Sequence, residues 1–105
     1  MPSLFKMHKN YYEAIIQLRP ASPEVVDFVK GQIRNRENVF ISKEVKLKTG
    51  IDLYISSQRL ALAIGKKLKR RFKGTIKVSN ALYGINKFSS KEVYRVTLCY
   101  REEAL

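Results

Sequence analysis

Six cations crowd into the eight residues Lys66-Lys67-Leu68-Lys69-Arg70-Arg71-Phe72-Lys73. The chemistry open to such a run is the attraction of anions. On a helix that turns about 100° per residue, Leu60, Ala61, Ile64, Leu68 and Phe72 gather into one apolar stripe. Arg59, Lys66, Lys69, Arg70 and Lys73 fall opposite it, with Lys67 and Arg71 at the margins. A helix of this pattern docks by one face and turns a nearly pure positive face to solvent. Cations late in a helix also suit the negative end of its dipole, which accounts for two or three of them. It does not account for the absence of any acid between Asp52 and Glu92, because helical surfaces ordinarily interleave both signs. Clustered charge of one sign is the footprint of nucleic-acid binding. The candidate nucleic-acid-binding residues are therefore Arg59, Lys66, Lys67, Lys69, Arg70, Arg71 and Lys73, with Lys77 on the strand that follows.

Other chemistries find little to work with. The one histidine, His8, lies in a polar leader, where a solvent-exposed ring is expected rather than a general base. No nucleophile and base stand at a familiar spacing, and there is no glycine-rich phosphate loop and no paired carboxylates. Small acyl-phosphate hydrolases grip phosphate with an early glycine-rich loop, but Leu18-Arg19-Pro20-Ala21-Ser22 has no glycine. Asp52, an acid in a basic stretch, is expected to pair with a neighbouring lysine. The single cysteine, Cys99, excludes an intramolecular disulfide and a cysteine-rich zinc site, and a buried or half-buried strand thiol is its expected state. The expected protein is not an enzyme and needs no metal or cofactor.

The elements that must hold the basic helix come from the rest of the chain. With 105 residues, 45% of them hydrophobic, one unstapled domain is expected. Net charge is +12, from 21 Lys and Arg against 9 Asp and Glu. Charge this large costs stability through self-repulsion, and an anionic partner is its natural counterpart. No apolar run is long enough to span a bilayer and Met1 to Asn10 lacks a signal-peptide core, so the chain reads as cytoplasmic. Lying on anionic lipid is disfavoured, since the apolar stripe is needed for the core.

Residues 1–10 read as the polar leader, 11–101 as a single α+β domain and 102–105 as a frayed tail. Alternation predicts a first strand over Tyr12–Arg19, with Tyr12, Ala14, Ile16 and Leu18 on one face. Ser22 and Pro23 open a helix that runs to about Arg36 and buries Val25, Val26, Val29 and Ile33. Val39–Lys48 alternates with Ile41, Val45 and Leu47 inward, and Thr49-Gly50 turns the chain. Ile51, Leu53 and Ile55 point inward on the return strand. Ser56 or Ser57 caps the basic helix and Gly74 ends it. Thr75–Tyr83, with Ile76, Val78 and Leu82 inward, is a fourth strand. A polar loop over 84–92 leads to a fifth strand, Val93–Arg101, carrying Tyr94, Val96 and Leu98 on one face.

The order β-α-β-β-α-β-β predicts an α+β two-layer sandwich: an antiparallel sheet with two helices on one face, a ferredoxin-like pattern plus an extra strand. The other sheet face is expected to be open, lined by Gln17, Arg19, Lys46, Lys48, Tyr54, Lys77, Tyr83 and Arg95. An RNA-recognition motif shares the first six elements but stacks bases on aromatics at fixed places of its central strands. Here Ile51-Asp52-Leu53-Tyr54-Ile55-Ser56 offers Tyr54 alone. Sequence-specific reading of single strands is disfavoured, while backbone contact by Arg and Lys stays open.

Gly50-Ile51-Asp52-Leu53-Tyr54-Ile55-Ser56-Ser57, followed by Ala61 on a helix, resembles the central segment of the Nmd-three family. These are adaptors of the large ribosomal subunit that act in nuclear export in eukaryotes and have archaeal relatives. Met7-His8 with Tyr11-Tyr12-Glu13-Ala14-Ile15-Ile16-Gln17-Leu18-Arg19 resembles the family's first strand. Ser79-Asn80-Ala81-Leu82-Tyr83-Gly84 and Val93-Tyr94-Arg95-Val96-Thr97 resemble the segments on either side of its last loop. The likeness spans about residues 7 to 101.

It implies docking on the large ribosomal subunit, on rRNA and adjacent ribosomal proteins, by a module that is monomeric in isolation. Family members place paired-cysteine zinc modules before this segment and can carry β-barrels after it. The chain thus reads as an excised central domain or a stand-alone relative, and neither zinc nor the flanking functions carry over. Individual contact residues do not map. Gly50, Asp52 and Tyr54 read first as turn and strand residues. A general RNA- or DNA-binding domain without a ribosomal role fits the basic face equally, and the resemblance alone separates the two.

Overall fold

The computed structural model describes residues 11–85 and 92–103, with side chains described for 11–80 and 94–103. The elements follow in the expected order: β1 (Ala14–Arg19), α1 (Pro23–Arg34), β2 (Ile41–Leu47), β3 (Gly50–Ile55), α2 (Gln58–Arg71), β4 (Gly74–Ile85) and β5 (Glu92–Glu102). Alternate residues of three strands face the helices: Ala14, Ile16 and Leu18; Ile51, Leu53 and Ile55; Val96, Leu98 and Tyr100. Against them pack Val25, Val29 and Ile33 of α1 and Leu60, Ala61, Ile64 and Leu68 of α2, giving a two-layer α+β sandwich. Burying Leu60, Ile64 and Leu68 contributes roughly 5–9 kcal/mol to holding α2 in place, before the entropy of ordering it.

The sheet departs from the all-antiparallel expectation. Its order is β2-β3-β1-β5-β4, and β5 lies parallel to β1, so the sheet is mixed. The last strand does not add to an edge of a ferredoxin-like sheet; it inserts between β1 and β4. Composition explains the choice. β5 carries the buried Val96, Leu98 and Tyr100 and suits an interior position, while the exposed Thr75, Lys77, Ser79 and Asn80 of β4 suit a solvated edge.

A register shift between Ile41 and Lys43 overturns the face assignment of β2. Ile41 pairs with the inward Ile55, but Glu44 then pairs with Leu53 and Lys46 with Ile51. Glu44 and Lys46 thereby turn to the helix side, while Lys43, Val45 and Leu47 turn to the open face. One extra residue inverts every side chain beyond it. Leu47 is accordingly 46% exposed rather than inward. Val78 and Tyr94 are exposed as well. Val78 sits on the edge strand, and Tyr94 precedes the stretch of β5 that β1 covers.

Three local expectations also change. The β2–β3 turn is Lys48–Thr49, and Gly50 already belongs to β3. An added Cβ on Gly50 would meet the Leu18 carbonyl oxygen at 1.9 Å, so close strand approach requires glycine there. Gly74 does not cap α2, which ends at Arg71 with Phe72 as an extended C-cap residue. It opens β4, where a Cβ would meet the Tyr100 ring at 2.4 Å. β5 runs to Glu102, and the Glu103 N–H donates to the Lys73 carbonyl, so the chain stays tied past Arg101. The leader at 1–10, most of the loop expected over 84–92, the side chain of Leu82 and the last two residues lie outside the described residues.

Candidate nucleic-acid interface

Both ends of α2 are fixed by side chains from elsewhere in the fold. At the start, Ser57 is the cap, its Oγ accepting from the Leu60 N–H at 3.2 Å. Ser56 is buried instead, and its Oγ accepts from the Phe40 N–H at 3.0 Å. The first turn of α2 contains no acid. Glu13, just before β1, supplies one from outside: its Oε1 accepts from the Gln58 N–H at 3.0 Å, and Tyr11 donates to its other oxygen. A carboxylate is favourable at the positive end of a helix.

Beyond the C-terminal end, the Tyr100 hydroxyl donates to the Lys73 carbonyl at 3.2 Å. Burial, with the Glu102 carboxylate nearby, pushes the Tyr100 phenol up from its usual value.

All eight sequence-predicted cations are exposed. Arg59, Lys66, Lys69 and Arg70 project from α2 away from the core residues, and Lys73 follows at its exit. Among the described residues none of these five forms an ion pair. Lys67 and Arg71 occupy the seam with α1: Lys67 Nζ donates to Gln32 Oε1 at 2.8 Å, and the Arg71 guanidinium lies 5.2 Å from the Phe28 ring centroid. The helix side thus gathers seven of the eight. Lys77 pairs with Cys99 in β4–β5 and stands on the opposite, open face of the sheet.

The open face also differs from expectation. Of its predicted residues Lys46 lies on the helix side, Lys48 is in the turn, and the Tyr83 side chain lies outside the described residues. Asp52 pairs with Arg19, not a lysine, at 2.6 Å, and the Arg19 guanidinium also donates to the carbonyls of Leu18 and Ile51. Tyr12 comes before β1 begins and leaves the alternation: Tyr11 is buried, while Tyr12 sets its ring 4.9 Å and near-perpendicular to that of Tyr54.

Arg95 stacks on Tyr12 at 3.8 Å and donates to its hydroxyl and carbonyl, and Lys43 stands 5.5 Å from the Tyr54 centroid. Strict alternation hid this cluster. Two adjacent tyrosines at a strand start were the available signal, since only one of them can follow the inward face.

Among the described residues no group of three or more His, Cys, Asp or Glu could hold a metal ion, and no helix is long and apolar enough to cross a membrane. Fold and charge define the class: a small, strongly basic α+β domain with one helix bare of acids. Residues 11–101 match the second domain of the NMD3 (Nmd-three) family, and the chain belongs to that family. This places it in a context of ribosome biogenesis and export, among adaptors rather than enzymes. None of the curated proteins compared matches the sequence.

Proposed function

We propose that this domain is a non-catalytic ribosome-binding module that docks on rRNA of the large subunit through the outer face of α2. The observation that carries the reading is the outer face itself: Arg59, Lys66, Lys69, Arg70 and Lys73 are exposed, unopposed by any acid on α2, and held by a helix fixed at both ends. The helix backbone that carries these cations is already ordered, so only their side chains have to order on a phosphate lattice, and backbone phosphates need no sequence-specific reader. The family supports the large subunit as the partner and adjacent ribosomal proteins as neighbours. The module works in the cytoplasm, as a monomer when isolated, without cofactor or membrane.

Co-sedimentation with purified large subunits in the presence of excess tRNA tests the proposal. The expected result is retention with the subunits, together with a log–log salt slope near −4 to −5 for about six phosphates. Complete competition by tRNA would favour a general nucleic-acid-binding domain. No binding at low salt would overturn both.

A further inference from the structure

The open face of the sheet holds a second feature that the basic helix does not use. Tyr54 on β3 and Tyr12 ahead of β1 meet edge to face, with Lys43 over one ring and Arg95 over the other. Tyr12, Ser42, Lys43 and Tyr54 line a shallow depression of about 430 Å³. The two cations are held differently. Arg95 is fastened by two hydrogen bonds to Tyr12 and stacks closely on its ring. Lys43 is exposed and stands 5.5 Å from the Tyr54 centroid, a contact loose enough for a flat group to displace. The rest of this face is positive: Lys77 and Arg101 are exposed farther along it, and Asp52 is neutralised by Arg19.

We infer that this depression takes an unpaired RNA nucleotide, its base stacked on Tyr54 and its phosphate met by Lys43. A half-buried aromatic ring on an open sheet face, with a cation beside it, fits a nucleotide in both of its parts, the π-face of the base and the phosphate. Tyr12, braced by Arg95, sets its ring near-perpendicular to that of Tyr54 and bounds one side of the depression. The contact needs no base-edge reading and so no sequence preference. It rests on the proposed rRNA-binding role but uses the opposite side of the domain. A domain gripping paired RNA by α2 would accept a bulged or looped nucleotide on its other face.

The test compares, by fluorescence anisotropy, an RNA hairpin with a single-stranded loop and a fully paired duplex with the same number of phosphates. Tyr54→Leu should weaken the hairpin about ten-fold, leave the duplex unchanged and leave the salt slope unchanged. Tyr54→Phe keeps the ring and should restore hairpin affinity. Lys43→Gln, on an exposed site that does not threaten folding, should flatten the hairpin slope by about 0.7 and not alter the duplex. The inference is overturned if Tyr54→Leu binds the hairpin like the parent, or weakens both RNAs equally. It is also overturned if that variant loses co-sedimentation with subunits while keeping the hairpin, which would give the face to a ribosomal protein. Should the parent bind neither RNA, the proposed function fails with it. If the parent binds both and Tyr54 is indifferent, only the inference fails.

Discussion

The two helices do the same structural work with opposite surfaces. Each lays one apolar stripe on the same side of the sheet, Val25, Val29 and Ile33 from α1 and Leu60, Ile64 and Leu68 from α2. The outer face of α1 carries Glu24 and Asp27 against Lys30 and Arg34, and Lys30 pairs with Glu44 at 2.9 Å. α2 carries six cations and no acid. Folding needs α1's arrangement at most, since interleaved signs stabilise a helix and a one-signed face repels itself. The surplus on α2 is the charge on which the proposed binding face rests, and α1 serves as the control built into the same molecule.

The strongest way to break the comparison is to make α2 neutral. Changing Lys66, Lys69, Arg70 and Lys73 to Gln keeps helix propensity nearly constant. Four lost phosphate contacts should lower affinity for structured RNA on the order of a thousand-fold at 0.1 M salt and flatten the slope by about 3. The melting temperature should move only modestly, because lost dipole stabilisation and relieved repulsion oppose each other. Parent-like affinity in this variant would remove α2 as the binding face.

A second variant separates charge from placement. Glu13→Gln removes the negative charge at the start of α2 while keeping an oxygen acceptor for the Gln58 N–H. Stability should fall by about 1–2 kcal/mol in urea titration. RNA affinity measured well below the melting temperature should stay within two-fold of the parent, by about the margin expected when no phosphate contact is lost. A large affinity loss would mean that the seating of α2, rather than its outer charges, limits binding.

Glu13 also marks how far the sequence was legible. The apolar periods of β1, β3, α1 and α2 were readable because burial on one face dictates them, and the basic face followed by subtraction. The acid that completes α2 lies 45 positions from the amide it serves, and no local pattern announces such a partner. β2 was misread for a related reason. Alternation presumes an unbroken pleat, and the bulge after Ile41 reversed Val45 and Leu47 without changing their polarity pattern. The parallel pairing of β5 with β1 was equally hidden, since hairpin partners are read locally and sheet insertion is a long-range choice. Of the candidate site, the seven helix-side cations were legible, but the Tyr12–Tyr54 pair was not, because Tyr12 belongs to no strand.

Tyr100 probes the other end of α2 without altering a charge at neutral pH. Tyr100→Phe removes the hydrogen bond to the Lys73 carbonyl and should cost about 1 kcal/mol. The phenol is raised above its ordinary 10.0 by burial and by Glu102. A group whose folded value is raised contributes stability in full below its unfolded value and loses it as pH climbs through the folded one. The parent's advantage over Tyr100→Phe should therefore persist at pH 8 and shrink or reverse above about pH 10. Paired urea midpoints at each pH cancel the lysine titration common to both proteins. An advantage independent of pH would show that the phenol ionises alike in both states.

The smallest effect is expected from the control helix, and it is the one that gives the comparison its force. Lys30→Gln with Arg34→Gln removes two exposed or half-exposed cations from α1. Stability should change by less than about 1 kcal/mol, since the Lys30–Glu44 pair is near the surface and such pairs contribute little. If binding were set by net charge alone, the double variant should lose half as much of the slope as the fourfold α2 variant, about 1.5. If α2 makes the phosphate contacts, the slope should stay within about 0.3 of the parent, because charge a helix away acts only through the screened field. A slope loss proportional to charge removed, on either helix, would reduce the binding face to a diffuse positive surface.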